Sequence, residues 1–247
     1  QQHPQHRRQR QMCIRDRVTP KFKMKLPSDG RVVNYRPFLV KEEKVLLIAT
    51  ETGNQDSIVN AIKDIIAACT DIKDVEALPT FDIEFVFLQI RTKSVGESVD
   101  VGVTCPDDNE TQVEVKIPLE SINVKKTKGH SREIKISDEI LITMDYPSLD
   151  TFVKANFVND GQDVDQIFEM AASCVKSVTT PEEVHDCKNM PHKEVLEFLD
   201  SMSSAQFKDV QQFFETMPKL THTLKVTNPN TKVVSDVTLE GLASFFG

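Results

Sequence analysis

Four side chains of the types that bind zinc lie within one stretch of the sequence. Cys174, His185, Cys187 and His192 offer thiol and imidazole groups, which are preferred ligands of structural zinc. Such sites bring two ligands together on a tight knuckle, whereas here Cys174 falls in a predicted helix and its neighbours in a linker. The spacing therefore favours a buried Cys174 thiol and solvent-facing histidines over a metal site.

A short internal repeat resembles a second, degenerate metal site. Segments 103–106 and 226–229 share the pattern V-T-x-P, and an alternating strand follows each of them. In a zinc ribbon such turns read C-P-x-C, and two of them supply four thiolates. Here they read C-P-D-D and N-P-N-T, so a single thiol, that of Cys105, remains. We predict no metal site, but we expect the two hairpins to lie side by side with Cys105 near Asn228.

Other contacts must hold these hairpins together if no metal does. Asx side chains and prolines form turns without help from a ligand. A shared apolar face can cover the strands, and its candidate members are Val101, Val103, Val113, Val115, Leu224, Val226, Val234 and Val237. The sequence thus predicts hairpins that are held by packing and by turn chemistry.

The sequence contains no motif of a known catalytic site. There is no glycine-rich phosphate loop, no G-x-S-x-G elbow, no H-E-x-x-H pair and no calcium-binding loop. The acid pairs Glu42-Glu43 and Glu182-Glu183 are better explained as charges at helix N-termini, which the helix dipole favours, than as acid–base couples. We therefore predict a protein that is not an enzyme and has no catalytic residue, cofactor or small-molecule substrate.

The composition indicates a globular protein that binds neither nucleic acid nor membrane. A net charge of −8 argues against a phosphate-backbone ligand, because such ligands require a basic surface. No segment approaches the roughly 18 continuous apolar residues of a membrane span. The 14 Phe residues, with no Trp, are predicted to fill the core. The cysteines are widely spaced with no C-x-x-C pair, which indicates a reducing compartment such as the cytosol.

The beginning of the sequence differs in character from the rest. Residues 1–17 contain five arginines and one aspartate, a net charge of +4, in a Gln-rich stretch. Residues 11–17 look like the translation of a common sequencing adapter. We predict that residues 1–23 are a disordered, non-native tail and that the natural chain begins at Met24. The alternative is a basic arm that binds a partner.

Helical and strand-like segments occur in blocks, which predicts the α+β class. The predicted architecture has helical regions around a small antiparallel sheet, and this sheet contains the two zinc-ribbon-like hairpins that have lost their ligands. Residues 24–98 form a mainly helical region, and residues 99–146 form a β-hairpin region. Residues 147–220 form a second helical region, and residues 221–247 form a C-terminal hairpin that packs on 99–146.

Two large aromatic rings, Phe245 and Phe246, stand at the end of the sequence. Chain ends usually fray unless they are docked against something. The rings therefore either pack against the protein's own sheet or insert into a partner. Phe245 and Phe246 are accordingly the candidate partner-binding residues.

Four stretches carry a resemblance to a known family. They are PFLVKEEKVLLIATET (37–52), LPTFDIEFVFLQIRTKSVGE (78–97), QFKDVQQFFETMPKLTHTL (206–224) and VTLEGLASFFG (237–247). In this order they resemble the baseplate hub subunits and hub assembly proteins of T-even-type contractile-tailed phages. In related members the paired turns more often look like complete zinc knuckles. This sequence departs from that pattern at three of four ligand positions, so the resemblance implies no metal.

The resemblance implies a non-enzymatic role in building the central hub of the baseplate. Such a protein would act by binding other hub or tail proteins, either as a subunit or as an assembly factor that leaves. It would work in the host cytoplasm during assembly and could remain in the virion baseplate. The alternative is a hub-associated cell-wall hydrolase, which would need a carboxylate in a cleft with a raised pKa.

Overall fold

The computed structural model describes residues 19–96, 98–149, 151, 164–241 and 244. Its helices are α1 Val40–Thr52, α2 Gln55–Cys69, α3 Thr80–Ser94, α4 Val164–Cys174, α5 His192–Asp200 and α6 Ser204–Thr216. Its strands are β1 Phe22–Lys25, β2 Val32–Tyr35, β3 Ser98–Thr104, β4 Gln112–Pro118, β5 Asn123–Lys125, β6 Glu133–Lys135, β7 Leu141–Met144, β8 Val175–Thr179, β9 Val184–Asp186, β10 Lys219–Thr227 and β11 Val234–Glu240.

The strands of the described residues pair antiparallel in four small sheets. Strand β1 pairs with β2, β3 pairs with β4, and β10 lies between β11 and β5. Strands β6, β7, β8 and β9 form a four-stranded sheet in that order. The α+β class is confirmed, but the strands form several sheets instead of the one that the sequence predicts.

Helix α3 is buried and lies between two hydrophobic cores. Val86 packs with residues of α2, β1 and β2, whereas Leu88 packs with residues of β4 and β10. A helix that is apolar on all sides is typical of such a position. Its Phe and β-branched residues would also suit a strand, but the segment after Pro79 is a helix, in agreement with the mainly helical region predicted for residues 24–98.

A third core lies between the four-stranded sheet and the helices that cover it. Ile142 of β7 and Val178 of β8 pack with Val195 of α5 and Val210 of α6. Helix α4 adds two small side chains, Ala171 and Ala172, which are both buried. The central part of the chain thus builds a core of its own, separate from the two that share α3.

An aromatic cluster joins this third core to α3. Tyr146 contacts Phe81 of α3 edge-on, with ring centroids 5.0 Å apart, and stacks on Phe213 of α6 at 5.6 Å. The two ring nitrogens of His130 lie 3.0 Å from the Tyr146 hydroxyl and 3.0 Å from Thr216 Oγ1. Each polar atom of the cluster therefore has a partner, as buried polar groups require.

The chain is divided among these units differently from the predicted regions. The strands of residues 99–146 contribute to separate sheets, because β6 pairs with β7 and β7 pairs with β8, and neither pairs with β3 or β4. Strands β8 and β9 lie inside the predicted helical region 147–220. Strand β8 begins at Val175, directly after α4 ends at Cys174, so no Gly or Pro marks the change from helix to strand.

Strand β1 extends into the predicted N-terminal tail. Phe22 and Lys23 pair with Tyr35 and Asn34, and the Phe22 and Tyr35 rings lie 5.6 Å apart. These two residues are therefore part of a strand, because an aromatic contact and a strand partner hold them. Residues 1–18 of the predicted tail, and residues 150 and 152–163 of the predicted helical region 147–220, lie outside the described residues.

Candidate partner-binding surface and paired turns

Helix α1 presents large apolar side chains to solvent. Val40 is 79% exposed, Leu47 57% and Ile48 51%. Lys44 and Glu51 are also exposed, and they lie on the same side of the helix as these three residues. We call Val40, Lys44, Leu47, Ile48 and Glu51 the α1 face. Two neighbouring apolar residues, Leu39 and Val45, are also exposed and border this surface.

The burial pattern of α1 departs from that expected for a surface helix. Its buried residues are Glu42 and Ala49, and Leu46 packs half-buried against the core, whereas most of the larger apolar residues are exposed. This orientation was not predicted from the sequence, although the spacing of residues along α1 indicates which of them share a side. Glu42 and Ala49 are seven residues apart and share one side, as Val40 and Leu47 share the other.

A buried ion pair orients the helix in this way. The Arg36 guanidinium donates to Glu42 Oε1 at 2.9 Å, and the Leu39 backbone N–H donates to Glu42 Oε2 at 2.7 Å. Arg36 also donates to the carbonyl oxygen of Ala68, 3.0 Å away in α2. Burial works against ionisation of Glu42, but hydrogen bonds from Arg36, Leu39 and Lys41 outweigh it and keep its pKa below the ordinary value. The carboxylate therefore ties the start of α1 to the end of α2.

The two turns of the internal repeat have the same backbone geometry. In each turn the N–H of the fifth residue donates to the carbonyl of the first at 2.9 Å, from Asn109 to Cys105 and from Lys232 to Asn228. Asn109 has a φ of 55° and Lys232 a φ of 64°, so both occupy the left-handed region. The sequence repeat thus corresponds to a structural repeat.

The two turns contact each other through the side chain of Asn228. Its Nδ2 donates to both carboxylate oxygens of Asp107, at 3.1 and 3.0 Å, and to Asp108 Oδ2 at 2.8 Å. Its Oδ1 accepts from the backbone N–H of Asn230 at 2.8 Å. Hydrogen bonds from Thr231 and then from Asn228 hold the pKa of Asp107 below its ordinary value. The carboxylate is therefore charged, which strengthens these bonds.

A small apolar cluster lies beneath the turns. Val103, Cys105 and Val226 are buried together. Of the eight residues predicted to cover this face, Val234 is the exception, because it is 59% exposed. The prediction that the hairpins lie side by side, held by Asx side chains and apolar packing, is confirmed. Their descent from a zinc ribbon stays a prediction.

The residues present at the turns do not favour a metal. Burial, followed by the charges of Asp107 and Asp108, raises the pKa of the Cys105 thiol, whereas a zinc ligand must be deprotonated. Across the described ranges, no three His, Cys, Asp or Glu side chains come together in a way that could hold a metal ion.

Among the described residues the other candidate zinc ligands form no metal-binding group, although His185 and Cys187 line the same cavity. Cys174 is 1% exposed, and burial raises its pKa to about 12. His192 bonds to Glu169 at 2.6 Å, and His185 lies 3.3 Å from Glu183. The prediction of a buried thiol and solvent-facing histidines is confirmed. Cys187 is buried beside a cavity of about 240 Å³, whose lining is almost wholly apolar.

The remaining candidates from the sequence have different outcomes. Glu42 and Glu43 lie in the first turn of α1, as predicted. Glu182 and Glu183 lie in the loop between β8 and β9, so their assignment to a helix N-terminus was wrong. The error arose because a proline followed by two acidic residues, as at Pro181, is also typical of the first turn of a helix. Phe245 and Phe246 lie outside the described residues.

The described fold is that of a mixed α+β protein, and none of its described helices is long and apolar enough to cross a membrane. The sequence matches the model of a family described as T4 bacteriophage base plate protein over residues 19–247, and the chain belongs to that family. The resemblance to T-even-type baseplate proteins is thereby confirmed, while the assignment to the hub stays a prediction. Comparisons with curated proteins and with solved structures found no match.

Replacing Glu42 by Gln should lower the free energy of unfolding by about 1–3 kcal/mol at pH 7, because it leaves Arg36 without its charged partner. The folded-state pKa of Glu42 lies below its ordinary value, so the wild-type advantage should be present above about pH 5 and lost as the pH falls below about 4. Urea unfolding at several pH values measures this difference. The exposed first-turn residue Glu194 of α5 provides the control, since E194Q should change little. Equal effects of E42Q and E194Q would contradict the role given to Glu42.

Replacing Asn228 by Ala should destabilise the protein by about 1–3 kcal/mol, because one buried amide joins the two turns. N228D should be at least as damaging, since it places a third carboxylate beside Asp107 and Asp108. The matched control is N230A, which removes one exposed hydrogen bond to Thr111 Oγ1. Thermal unfolding of the three variants tests the ranking, and an N228A melting temperature equal to that of N230A would refute it.

Removal of metal should leave the protein unchanged. We expect substoichiometric zinc in protein purified without chelator, and the same melting temperature before and after treatment with EDTA. Structural zinc would behave differently, because its binding energy contributes to folding. Stoichiometric zinc that is lost together with stability would mean that Asp107, Asp108 or a histidine completes a site with Cys105.

Proposed function

We propose that this chain is a non-enzymatic structural or assembly protein of the baseplate hub, which acts by binding other hub or tail proteins. Its membership of the T4 bacteriophage base plate protein family supports the setting. The α1 face supports the mode of action. Assembly takes place in the host cytoplasm, and the protein then either leaves or remains in the virion baseplate.

The exposed apolar side of α1 is the observation that carries this proposal. Large apolar side chains that adjoin one another on a surface mark sites of protein contact, whereas isolated ones need no explanation. Leu47 and Ile48 are neighbours on α1, Val40 lies two turns earlier on the same side, and each of the three is more than half exposed. The Arg36–Glu42 ion pair fixes this orientation in the folded protein. The exposure of these apolar side chains is therefore determined by the folded structure.

No observation on the described residues favours the hydrolase alternative. Burial raises the pKa of Asp82, as a general acid would require. Asp82 is nevertheless 0% exposed, and it accepts hydrogen bonds from the backbone and hydroxyl of Ser28. A substrate cannot reach this carboxylate. Its hydrogen bonds tie the turn after β1 to the start of α3.

The C-terminal rings are a second proposed contact. We keep Phe245 and Phe246 as predicted partner-binding residues, because a chain end with two large apolar rings suits insertion into a partner. Strand β11 ends beside β10, where the Gly241 N–H donates to the Leu220 carbonyl at 2.9 Å. A truncation after Gly241 therefore preserves this last described backbone bond of the hairpin.

The test is retention of purified hub, tape-measure and tail-tube proteins of the same phage on the immobilised chain. We expect at least one to be retained, and we expect L47E to reduce its retention by about tenfold or more, because a charge replaces a central apolar contact. V184E is the matched control, since Val184 is 64% exposed on a different part of the fold.

Two further arms complete this test. A chain truncated after Gly241 should keep its melting temperature and lose retention if Phe245 and Phe246 bind a partner. A fall in its melting temperature would show instead that these rings belong to the protein's own core. The proposed function is overturned if no hub or tail protein is retained, or if the purified chain alone clears a suspension of cell wall.

A further inference from the structure

The α1 face is complementary to itself. Lys44, Leu47 and Glu51 follow one another at spacings of three and four residues, so they lie along one side of the helix, and Ile48 lies beside them. Lys44 and Glu51 are seven residues apart, which is about 10 Å along the helix axis. A positive and a negative charge thus stand on either side of an apolar centre.

An antiparallel copy of the same helix matches this arrangement. When the two-fold axis passes between Leu47 and Ile48, Leu47 faces Ile48 of the partner subunit. Lys44 then faces Glu51 of the partner subunit, and the symmetry repeats this pair on the other side. Both charged residues are exposed, and within the described part of the chain neither forms an ion pair. Both are therefore available for a partner.

From this we infer that the occupant of the α1 face is a second copy of this chain, bound through antiparallel pairing of α1 with α1. The inference rests on the proposed function, in which this face makes a protein contact. It takes the direct contact of α1 to be the second copy, so L47E would reduce retention of a hub or tail protein because it removes the dimer that binds that protein. The inference is supported by the charge complementarity between the α1 face and an antiparallel copy of itself. An unrelated partner would need to match a Lys–apolar–Glu pattern that the protein itself already supplies in reverse order.

The size of the surface determines the expected strength of the dimer. Helix α1 is about 20 Å long, so one helix pair covers less than the roughly 800 Å² per partner of a stable interface. Val95, 57% exposed after the end of α3, lies near the start of α1, because the adjacent Ser94 hydroxyl accepts from the Phe38 N–H at 2.9 Å. We expect a dissociation constant of about 1–100 µM.

Sedimentation analysis from about 1 µM to a few hundred µM tests the pairing. The wild-type chain should change from monomer to dimer with concentration, and L47E should stay monomeric. K44E and E51K should each weaken association by about tenfold or more, because each variant creates two like-charge contacts per dimer. K208E, which changes an exposed lysine of α6, is the control for net charge and should associate like the wild type.

A charge exchange separates self-pairing from other causes. An equimolar mixture of K44E and E51K should associate again, since every charged contact in the mixed dimer joins opposite charges. The double variant K44E/E51K should likewise recover dimers. Recovery in both experiments requires Lys44 of one copy to face Glu51 of another. A monomeric wild type at the highest concentration, or failure of the mixture to associate, overturns the inference.

The two proposals fail in different ways. If the chain stays monomeric but retains a hub or tail protein through α1, the partner on this face is that protein, and only the inference is overturned. If the chain dimerises as described but retains no hub or tail protein, the inference stands and the proposed function is overturned.

Discussion

The orientation of helix α1 on the rest of the protein depends on the ion pair between Glu42 and Arg36. Glu42 occupies the position of α1 that faces the core, where a helix usually places an apolar residue. A carboxylate is stable there because Arg36 and the Leu39 backbone both donate to it. The consequence is geometric. Once Glu42 and Ala49 are turned inward, most of the larger apolar residues of the helix are turned outward, while Leu46 stays partly buried against the core.

A second constraint is that α3 serves two cores at once. Its side chains pack on one side with α2 and the β1–β2 hairpin, and on another side with β4 and β10. Strand β10 begins at Lys219, so residues from distant parts of the sequence meet on this helix. Asp82, at the start of α3, adds a polar link to the β1–β2 turn through Ser28. The termini of the described chain are thus joined through one buried helix.

Hydrogen bonds hold the two turns together, as a shared metal ion does in a zinc ribbon. One amide, that of Asn228, donates to Asp107 and Asp108 of the opposite turn and accepts from the backbone of its own turn. Its side chain is 1% exposed, so water does not compete strongly for these bonds. This contact adds to a small apolar cluster, in which Val103, Cys105 and Val226 are the buried members among the described residues.

The sequence by itself determined the class of fold, most of the helices, the two similar hairpins and the family, because these depend on local patterns. The V-T-x-P repeat and the alternating strands after it are visible without coordinates, and so is the helix after Pro79. Strands β8 and β9 could not be predicted, since the pairing of β8 with β7 and of β9 with β8 supplies the hydrogen bonds that a short segment lacks alone. Only the tertiary structure decided which side of α1 is buried. That choice depends on Arg36, a residue outside the helix. Its guanidinium donates a hydrogen bond to Glu42 and so stabilises a buried carboxylate at a position where the periodicity of a helix would predict an apolar residue.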